Sequence, residues 1–390
     1  MIAAVLADDF TGANDCAASF AAAGFSAYAA LEGGMPGLAP DVFVQDTETR
    51  FSSPAEAKQA VALAWAGLRG KGRLLDYQRM DSTLRGNPGE EILGLLGASG
   101  ARRLAFCAAY PLHGRAIRKG VVTVRGQRLN ESEYAKDPLS PSRSAEPARL
   151  FPPGLARAIG RHCLSGLRGY IRASRQRILC FDASEDRDLK IIAKACLAEG
   201  IRHFAGASGL SAALARELSQ GPAMRAPRVP RRRAIVAGTV SQTSLAQLDA
   251  LEASGLAACF DLESGRLPPR GPARFALASL RTRRQLRMGR DAAGRRAWAE
   301  ARLKRLVDEA LRLGGPPASR LWMLTGGHTA TTFYRSLGLE GNWVRGALAP
   351  GLALLEASGK KGLKVFTCSK PGGFGTEDTM QRFMLAGKNS

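Results

Sequence analysis

Acids, arginines and glycines gather in a few short turns of this sequence, each placed directly behind a segment that reads as a strand. The first turn is Asp8-Asp9-Phe10-Thr11-Gly12-Ala13-Asn14-Asp15. Two adjacent acids beside a buried segment are costly to desolvate without a partner. Helix capping accounts for one of them. The pair, together with Thr11 and Gly12, points to hydroxyl or cation binding. The second turn is Asp81-Ser82-Thr83-Leu84-Arg85-Gly86-Asn87. Arg85 suits a carboxylate, because its fork binds two oxygens at once. The structural alternative is an internal Asp81–Arg85 ion pair that only shapes the turn. The third, Tyr110-Pro111-Leu112-His113-Gly114-Arg115, brings another arginine to the same region. A lone histidine such as His113 is more often structural than catalytic.

Glycines dominate the turns of the C-terminal part. They are Gly238-Thr239-Val240-Ser241-Gln242-Thr243, Thr325-Gly326-Gly327-His328-Thr329-Ala330, and Lys370-Pro371-Gly372-Gly373-Phe374-Gly375-Thr376-Glu377-Asp378. Glycine lets the backbone approach a phosphate, and free N–H groups at helix starts favour anions. Each could be an ordinary tight turn, but three in one region make nucleotide or phosphate binding the leading reading. There is no GxxxxGK[ST], no HRD or DFG, and no GxGxxG behind the first apolar run. A Walker P-loop, a protein kinase and a standard dinucleotide site are thereby disfavoured.

The elements that must position these turns alternate. Ile2–Ala7, Asp41–Gln45, Leu74–Arg79, Arg103–Ala108, Ile178–Asp182 and His203–Ala205 read as strands. Between them, Asn14–Ala23, Pro54–Arg69, Gly89–Leu96, Asp186–Glu199 and Ser211–Leu218 read as helices. This rhythm predicts an α/β fold with mostly parallel sheets. Ligands should then collect beyond the carboxyl ends of the strands. The polar, proline-rich stretch Gly120–Pro153, with a short strand at Val121–Val124, reads as an excursion over the surface, either a lid or a plain connection. Gly221–Arg233 is the best linker candidate. The expected division is a domain over 1–221, a linker over 222–233 and a second domain over 234–390. The second carries strands at Ala234–Ala237, Leu321–Leu324 and Lys364–Cys368. Its helices are expected at Ser244–Ser254, Gly294–Leu313 and Ala330–Leu337.

A length of 390 residues fits two domains, and 45% hydrophobic against 23% charged residues excludes disorder. The net charge of +22 could serve a nucleic acid or a membrane surface. However, the basic residues are dispersed, as in Arg231-Arg232-Arg233, Arg283-Arg284 and Arg295-Arg296, and aromatics are only 6%. That leaves little for base stacking and favours general anion attraction. Seven cysteines with no CxxC pair argue against a disulfide framework or zinc site and fit a reducing cytosol. The N-terminus lacks signal-peptide character, and no apolar run approaches the ~18–20 residues of a membrane span. A cytoplasmic location is expected.

Taken together, ADDFTGAND (Ala7–Asp15), DSTLRGN (Asp81–Asn87), AYPLHGR (Ala109–Arg115), Asp137-Pro138, GTVSQTSLAQL (Gly238–Leu248), TGGHTA (Thr325–Ala330) and SKPGGFGTEDT (Ser369–Thr379) resemble the four-carbon acid sugar kinase family over nearly the whole chain. Its members phosphorylate erythronate, threonate or 3-oxo-tetronate. The resemblance implies two dissimilar α/β domains, the first binding a sugar acid and the second ATP, with the active site in the cleft between them. It places substrate contacts on Asp8, Asp9, Asp81, Ser82, Arg85 and Arg115. It places nucleotide contacts on Ser241, Gly326, Gly327, His328, Thr329, Gly372 and Gly373. The expected mechanism has Arg85, with Arg115, holding the substrate carboxylate. Asp8, Asp9 and Asp81 grip hydroxyls, and Asp81, ahead of Asp9, accepts the proton. ATP and Mg2+ are the implied cofactors, with the ion bridging phosphates mostly through water. A homodimer is compatible with this. His328 stands where the family commonly has an acid, Thr239 where it commonly has Ser, and Gln78-Arg79-Met80 where it is commonly lysine-rich. The rival from another class is a basic, nucleic-acid-associated or regulatory protein that keeps the fold without kinase activity. A lyase or isomerase of sugar phosphates is a third reading.

Overall fold

The computed structural model describes residues 1–32, 34–68, 73–137, 140–219, 221–222, 227–238, 241–264, 267–279, 292–349, 352–359 and 362–386. Thr239, Pro138, the Arg283-Arg284 pair and part of the expected linker lie outside them. The chain forms two compact units, residues 1–27 with 34–223, and residues 28–33 with 224–390.

In chain order, β1 (Ala3–Ala7) leads to α1 (Phe10–Ala21), β2 (Ala27–Ala30), β3 (Val42–Asp46), α2 (Pro54–Gly67), β4 (Leu75–Arg79), α3 (Pro88–Ser99) and β5 (Leu104–Cys107). Then come β6 (Arg115–Arg118), β7 (Val121–Val124), β8 (Gln127–Arg128), β9 (Ala156–Ile159), α4 (Leu167–Ala173), β10 (Ile178–Phe181), α5 (Asp186–Ala198), β11 (His203–Gly206) and α6 (Ser208–Glu217). The first unit's main sheet has the order β3-β1-β4-β11-β5-β10-β9, and every pair in it is parallel. Its strands are buried on both faces: β1 is apolar throughout, as a parallel sheet covered by helices demands. The chain adds β3 on one side of β1 and β4 on the other. The turn after β1 therefore sits at a topological switch point, where open α/β sheets bind ligands.

Two local expectations shift. The first helix starts at Phe10, not Asn14, because Asp9 caps it: its Oδ1 accepts the Gly12 N–H at 2.9 Å. Thr11 and Gly12 thus belong to the first helical turn. The Gly120–Pro153 stretch is more ordered than a plain excursion. Its β7 and β8 join β6 in an antiparallel three-stranded sheet, and Val122 and Leu129 are buried.

The second unit continues with β12 (Arg232–Ala237), α7 (Gln242–Ala253), β13 (Ala258–Asp261), β14 (Arg274–Ala278), α8 (Ala292–Gly314), β15 (Arg320–Thr325), α9 (Gly327–Ser336), β16 (Leu339–Ala349), β17 (Leu352–Gly359), β18 (Lys364–Lys370) and α10 (Thr379–Leu385). Strands β13-β14-β12-β15-β18 are parallel, and β17 and β16 follow antiparallel. Residues 28–30 of β2 then pair antiparallel with Gly341–Trp343. Here too the order reverses about one strand, β12, flanked by β14 and β15. The GTVS turn follows that strand. One face of this sheet packs on Leu248, Leu251, Met380, Phe383 and Met384 of α7 and α10. Among the described residues no helix is long and apolar enough to cross a membrane.

Candidate active site

In the first unit the acidic turn is locked to two arginines: Arg50, which the sequence did not single out, and Arg79 of the Gln78-Arg79-Met80 segment. Arg50 lies in a single 3-10 turn at Thr49–Phe51. Its Nε donates to Asp8 Oδ2 at 2.8 Å and its Nη1 to Asp9 Oδ2 at 2.7 Å. Arg79, the last residue of β4, donates from Nη1 to Asp8 Oδ1 at 3.0 Å and Asp9 Oδ1 at 2.9 Å. Gly12 makes room for this, since a Cβ there would overlap the Arg79 guanidinium. Burial pushes the Asp8 carboxyl above the usual range and outweighs its arginines. Burial also acts on Asp9, but Arg50, Arg79 and the Gly12 N–H hold it below that range. Next to this network lies Glu91 of α3, which accepts from Thr49 Oγ1 at 2.8 Å and Gln78 Nε2 at 3.1 Å. Burial, with Asp8 nearby, pushes it up to about 8.

The second turn folds on its own ion pair. Arg85 Nε and Nη2 reach the two oxygens of Asp81 at 2.7 and 3.2 Å. Arg85 Nη1 reaches Asp137 Oδ2 at 3.0 Å. Thr83 Oγ1 also donates to Asp81. Burial raises the Asp81 carboxyl, but Arg85 and Arg50 prevail and hold it well below the usual range. Leu84 adopts φ 52°, a left-handed backbone that costs a bulky residue about 1–3 kcal/mol. Its full burial and the bonds around it hold it there. Asn87 Nδ2 donates to the carbonyls of Thr49 and Ser52, tying this turn to the one bearing Arg50. From the β8–β9 stretch, Ser140 Oγ accepts the Gly86 N–H and Ser142 Oγ donates to Thr83 O. Tyr134 lies under both Arg85 and Arg115, at 5.4 and 5.7 Å, and its hydroxyl accepts from Arg115 Nη2 at 2.9 Å. The stretch expected as a lid or connection thus contacts the Arg85 turn directly.

Asp8, Asp9, Asp81 and Arg85 share one network with Arg50 and Arg79, and Ser82 is buried in the same turn. Arg115 joins through Tyr134. His113 stacks edge-on against Tyr110 at 4.4 Å, and burial with Arg115 beside it lowers the imidazole to about 4. It is neutral at physiological pH, as a structural histidine would be.

In the second unit the three glycine turns converge. Ser241 caps α7 by accepting the Ser244 N–H at 3.1 Å, and its hydroxyl donates to Gly372 O at 2.6 Å. Ser244 Oγ donates to the same carbonyl at 2.7 Å. Gln247 Nε2 donates to Phe374 O and Thr376 O. Gly326, at φ 97°, donates its N–H to Lys370 O at 3.0 Å and opens α9, which carries Gly327, His328 and Thr329. A Cβ on Gly238 would come 2.6 Å from Thr329 Oγ1, so the first and second turns are in contact. Gly373 follows Gly372 in the same turn. Among the described residues no group of three or more His, Cys, Asp or Glu is placed to hold a metal ion.

Arg50 emerges from the structure alone, as do the contacts of Arg79, Asp137 and Lys370. Asp137 carried a sequence signal through its Asp-Pro pair. Arg79 and Lys370 end strands and read as strand or turn residues. Nothing in the sequence marks Arg50.

Residues 3–214 match the sugar-binding N-terminal domain family, and residues 270–380 the nucleotide-binding C-terminal domain family. A D-threonate kinase of Salmonella typhimurium strain LT2 is 31% identical over 421 aligned positions, covering 96% of each chain. A 3-oxo-tetronate kinase of Burkholderia multivorans is 28% identical over 278 positions, covering 64% of this chain and 63% of its own. A crystal structure from Salmonella typhimurium LT2 superposes with a TM-score of 0.78 at 22% identity over the whole of both chains, a likeness of fold.

Proposed function

Because the chain belongs to the four-carbon acid sugar kinase family, we propose that it transfers the γ-phosphoryl group of ATP to a hydroxyl of a four-carbon sugar acid of the threonate, erythronate or 3-oxo-tetronate type. The acceptor binds on the first unit, residues 1–221 in the domain division above. The nucleotide binds on the second, from residue 234 onward. The carrying observation is the Arg85 fork. It already holds two carboxylates, and the outer one, Asp137, is about a fifth exposed, as is Arg85 itself. A substrate carboxylate takes the place of Asp137 on Nη1, with Arg115 adding charge at the same edge. Hydroxyls of the acid meet Asp8, Asp9 and Ser82.

Asp81 is the preferred proton acceptor, with Asp9 second. Both are held below the usual carboxylate range by their arginines and are therefore ionised. They are weak bases, and phosphoryl transfer tolerates this. Its transition state is loose, so the base orients the hydroxyl and collects the proton late. The Gly372-Gly373 turn, Ser241 and the Gly326–Thr329 helix start receive the phosphates through backbone N–H groups and the helix dipole. Mg2+ would arrive on the nucleotide, held by phosphate oxygens and water.

The deciding experiment is an ATP-dependent kinase screen over stereoisomeric four-carbon acids, erythronates, threonates and their 3-oxo forms included. Turnover of one or two members is expected. Failure with every member, together with consumption of a pre-phosphorylated acid, would replace this reading with a lyase or isomerase. The net charge of +22 keeps a second reading in view, a basic nucleic-acid-associated protein. Salt-dependent DNA binding without ATP turnover would select it.

A further inference from the structure

We propose that Lys370 is a positioning residue of the nucleotide side: with Ser241 and Ser244 it fixes the Gly372 carbonyl and so sets the conformation of the glycine turn that takes the phosphates. The inference rests on the nucleotide reading given above for that turn. Lys370 ends β18 and is only 1% exposed. Its Nζ donates to Ser244 Oγ at 3.1 Å, Pro371 O at 3.1 Å and Gly372 O at 3.3 Å. The Gly372 carbonyl thus receives three donors, the hydroxyls of the N-cap Ser241 and of Ser244 in the first turn of α7, and the Lys370 amine. Glycine has no side chain to hold its peptide in one orientation, and its backbone is the most permissive of all. The clamp supplies the missing constraint from outside the turn.

A neutral donor could make the same bonds, so the charge needs its own reason. No carboxylate among the described residues pairs with Lys370, and the ammonium sits beside the N-terminus of α7, which is itself positive. A cation buried in that place without a counter-ion is costly to the resting protein. Burial accordingly lowers its pKa to about 7, so the resting side chain sheds part of its charge at neutral pH. The cost is recovered when a polyanion docks at the turn and supplies the missing negative charge. Lys370 therefore acts through Gly372 on the geometry of the site and through space on its affinity.

The test is Lys370→Met in the full chain, with Ser244→Ala as a second variant that keeps the charge and removes one donor. ATP affinity is measured by calorimetry, the two KM values by a coupled assay and Tm by thermal unfolding. Losing bonds made by a charged group should raise the ATP KM of Lys370→Met about tenfold or more. Its sugar-acid KM should stay within about twofold, and Tm should not fall, since an uncompensated buried charge is gone. Ser244→Ala removes the hydroxyl's bond to Gly372 O and the acceptor of one Lys370 bond, and should raise the ATP KM about threefold or more. A residue that merely supports the fold would lower Tm and leave the ratio of the two KM values unchanged, which overturns the proposal. So does wild-type ATP affinity in a folded Ser244→Ala protein, even if Lys370→Met fails to fold. Wild-type protein that binds no ATP at all would instead bring down the underlying nucleotide reading.

Discussion

Replacing Gly12 with alanine adds one methyl group, yet it should be among the most damaging small changes in the first unit. The added Cβ would overlap the Arg79 guanidinium, which is packed on the helix backbone and bonded to both Asp8 and Asp9. Arg79 is 4% exposed, so it cannot swing into solvent without opening the core. Displacing one partner from a buried ion pair costs about 3–5 kcal/mol. Arg50 stays on the second oxygen of each carboxylate, which argues for the lower end, ~3 kcal/mol. In a unit of about 200 residues each kcal/mol moves Tm by about 2–4 °C, so the loss should be about 6–12 °C. Thermal unfolding of Gly12→Ala reads this directly. A cycle with Arg79→Leu sharpens it. If both changes break the same contact, the double variant should be no less stable than Arg79→Leu alone, a clear departure from additivity. A Tm for Gly12→Ala within about 2 °C of the parent, or additive losses in the double variant, would refute the steric argument.

Arg85→Ala should lower kcat/KM for the sugar acid about 100-fold or more, since charge-assisted bonds to a carboxylate are lost. Undiminished efficiency would remove Arg85 from the carboxylate site. Glu91 has its pKa raised from 4.5 to about 8, so the folded state binds a proton more tightly than the unfolded chain. Its contribution is present at low pH and lost as pH rises between those values, by up to about 1.4 kcal/mol per pH unit. Denaturant titrations at pH 6 and 8 should therefore show a smaller drop for Glu91→Gln than for the parent; equal drops would refute it. All seven cysteines are free thiols, six of them buried and Cys259 partly so. Ellman's reagent should meet at most one reactive thiol in native protein and seven after denaturation.

The turns that carry the candidate site were legible because each polar cluster interrupts an apolar run at a strand's carboxyl end. Their partners were not. Arg79 was legible only as a charge in a segment that is commonly lysine-rich in the family, and the packing against Gly12 shows where its side chain goes. Arg50 reaches Asp8 and Asp9 from a single turn 42 and 41 residues away in sequence. No local pattern encodes such a contact. The parallel strands β1 and β15 were visible from their apolar runs, AAVLA and LWML. The β16–β17 hairpin was not, because glycines and Arg345 break its alternation and its pairing slips register three times. The first helix begins earlier than expected because Asp9 caps it through one carboxylate oxygen.

The short strand at residues 28–30 has a consequence for how the protein is made. It leaves the ribosome roughly 300 residues ahead of its partner, Gly341–Trp343. At about 5–20 residues per second, roughly 300 further residues take about 15–60 s to appear. Throughout that interval the growing chain can complete most of the first unit, while the edge of this segment that faces Gly341–Trp343 waits with its hydrogen bonds unmade. The second unit is therefore a late, non-local closure, and a fragment starting at residue 224 would leave the β16 edge without this strand. Synonymous slowing of translation before residue 339 should lengthen the wait and raise the aggregated fraction, without changing a single residue of the finished enzyme.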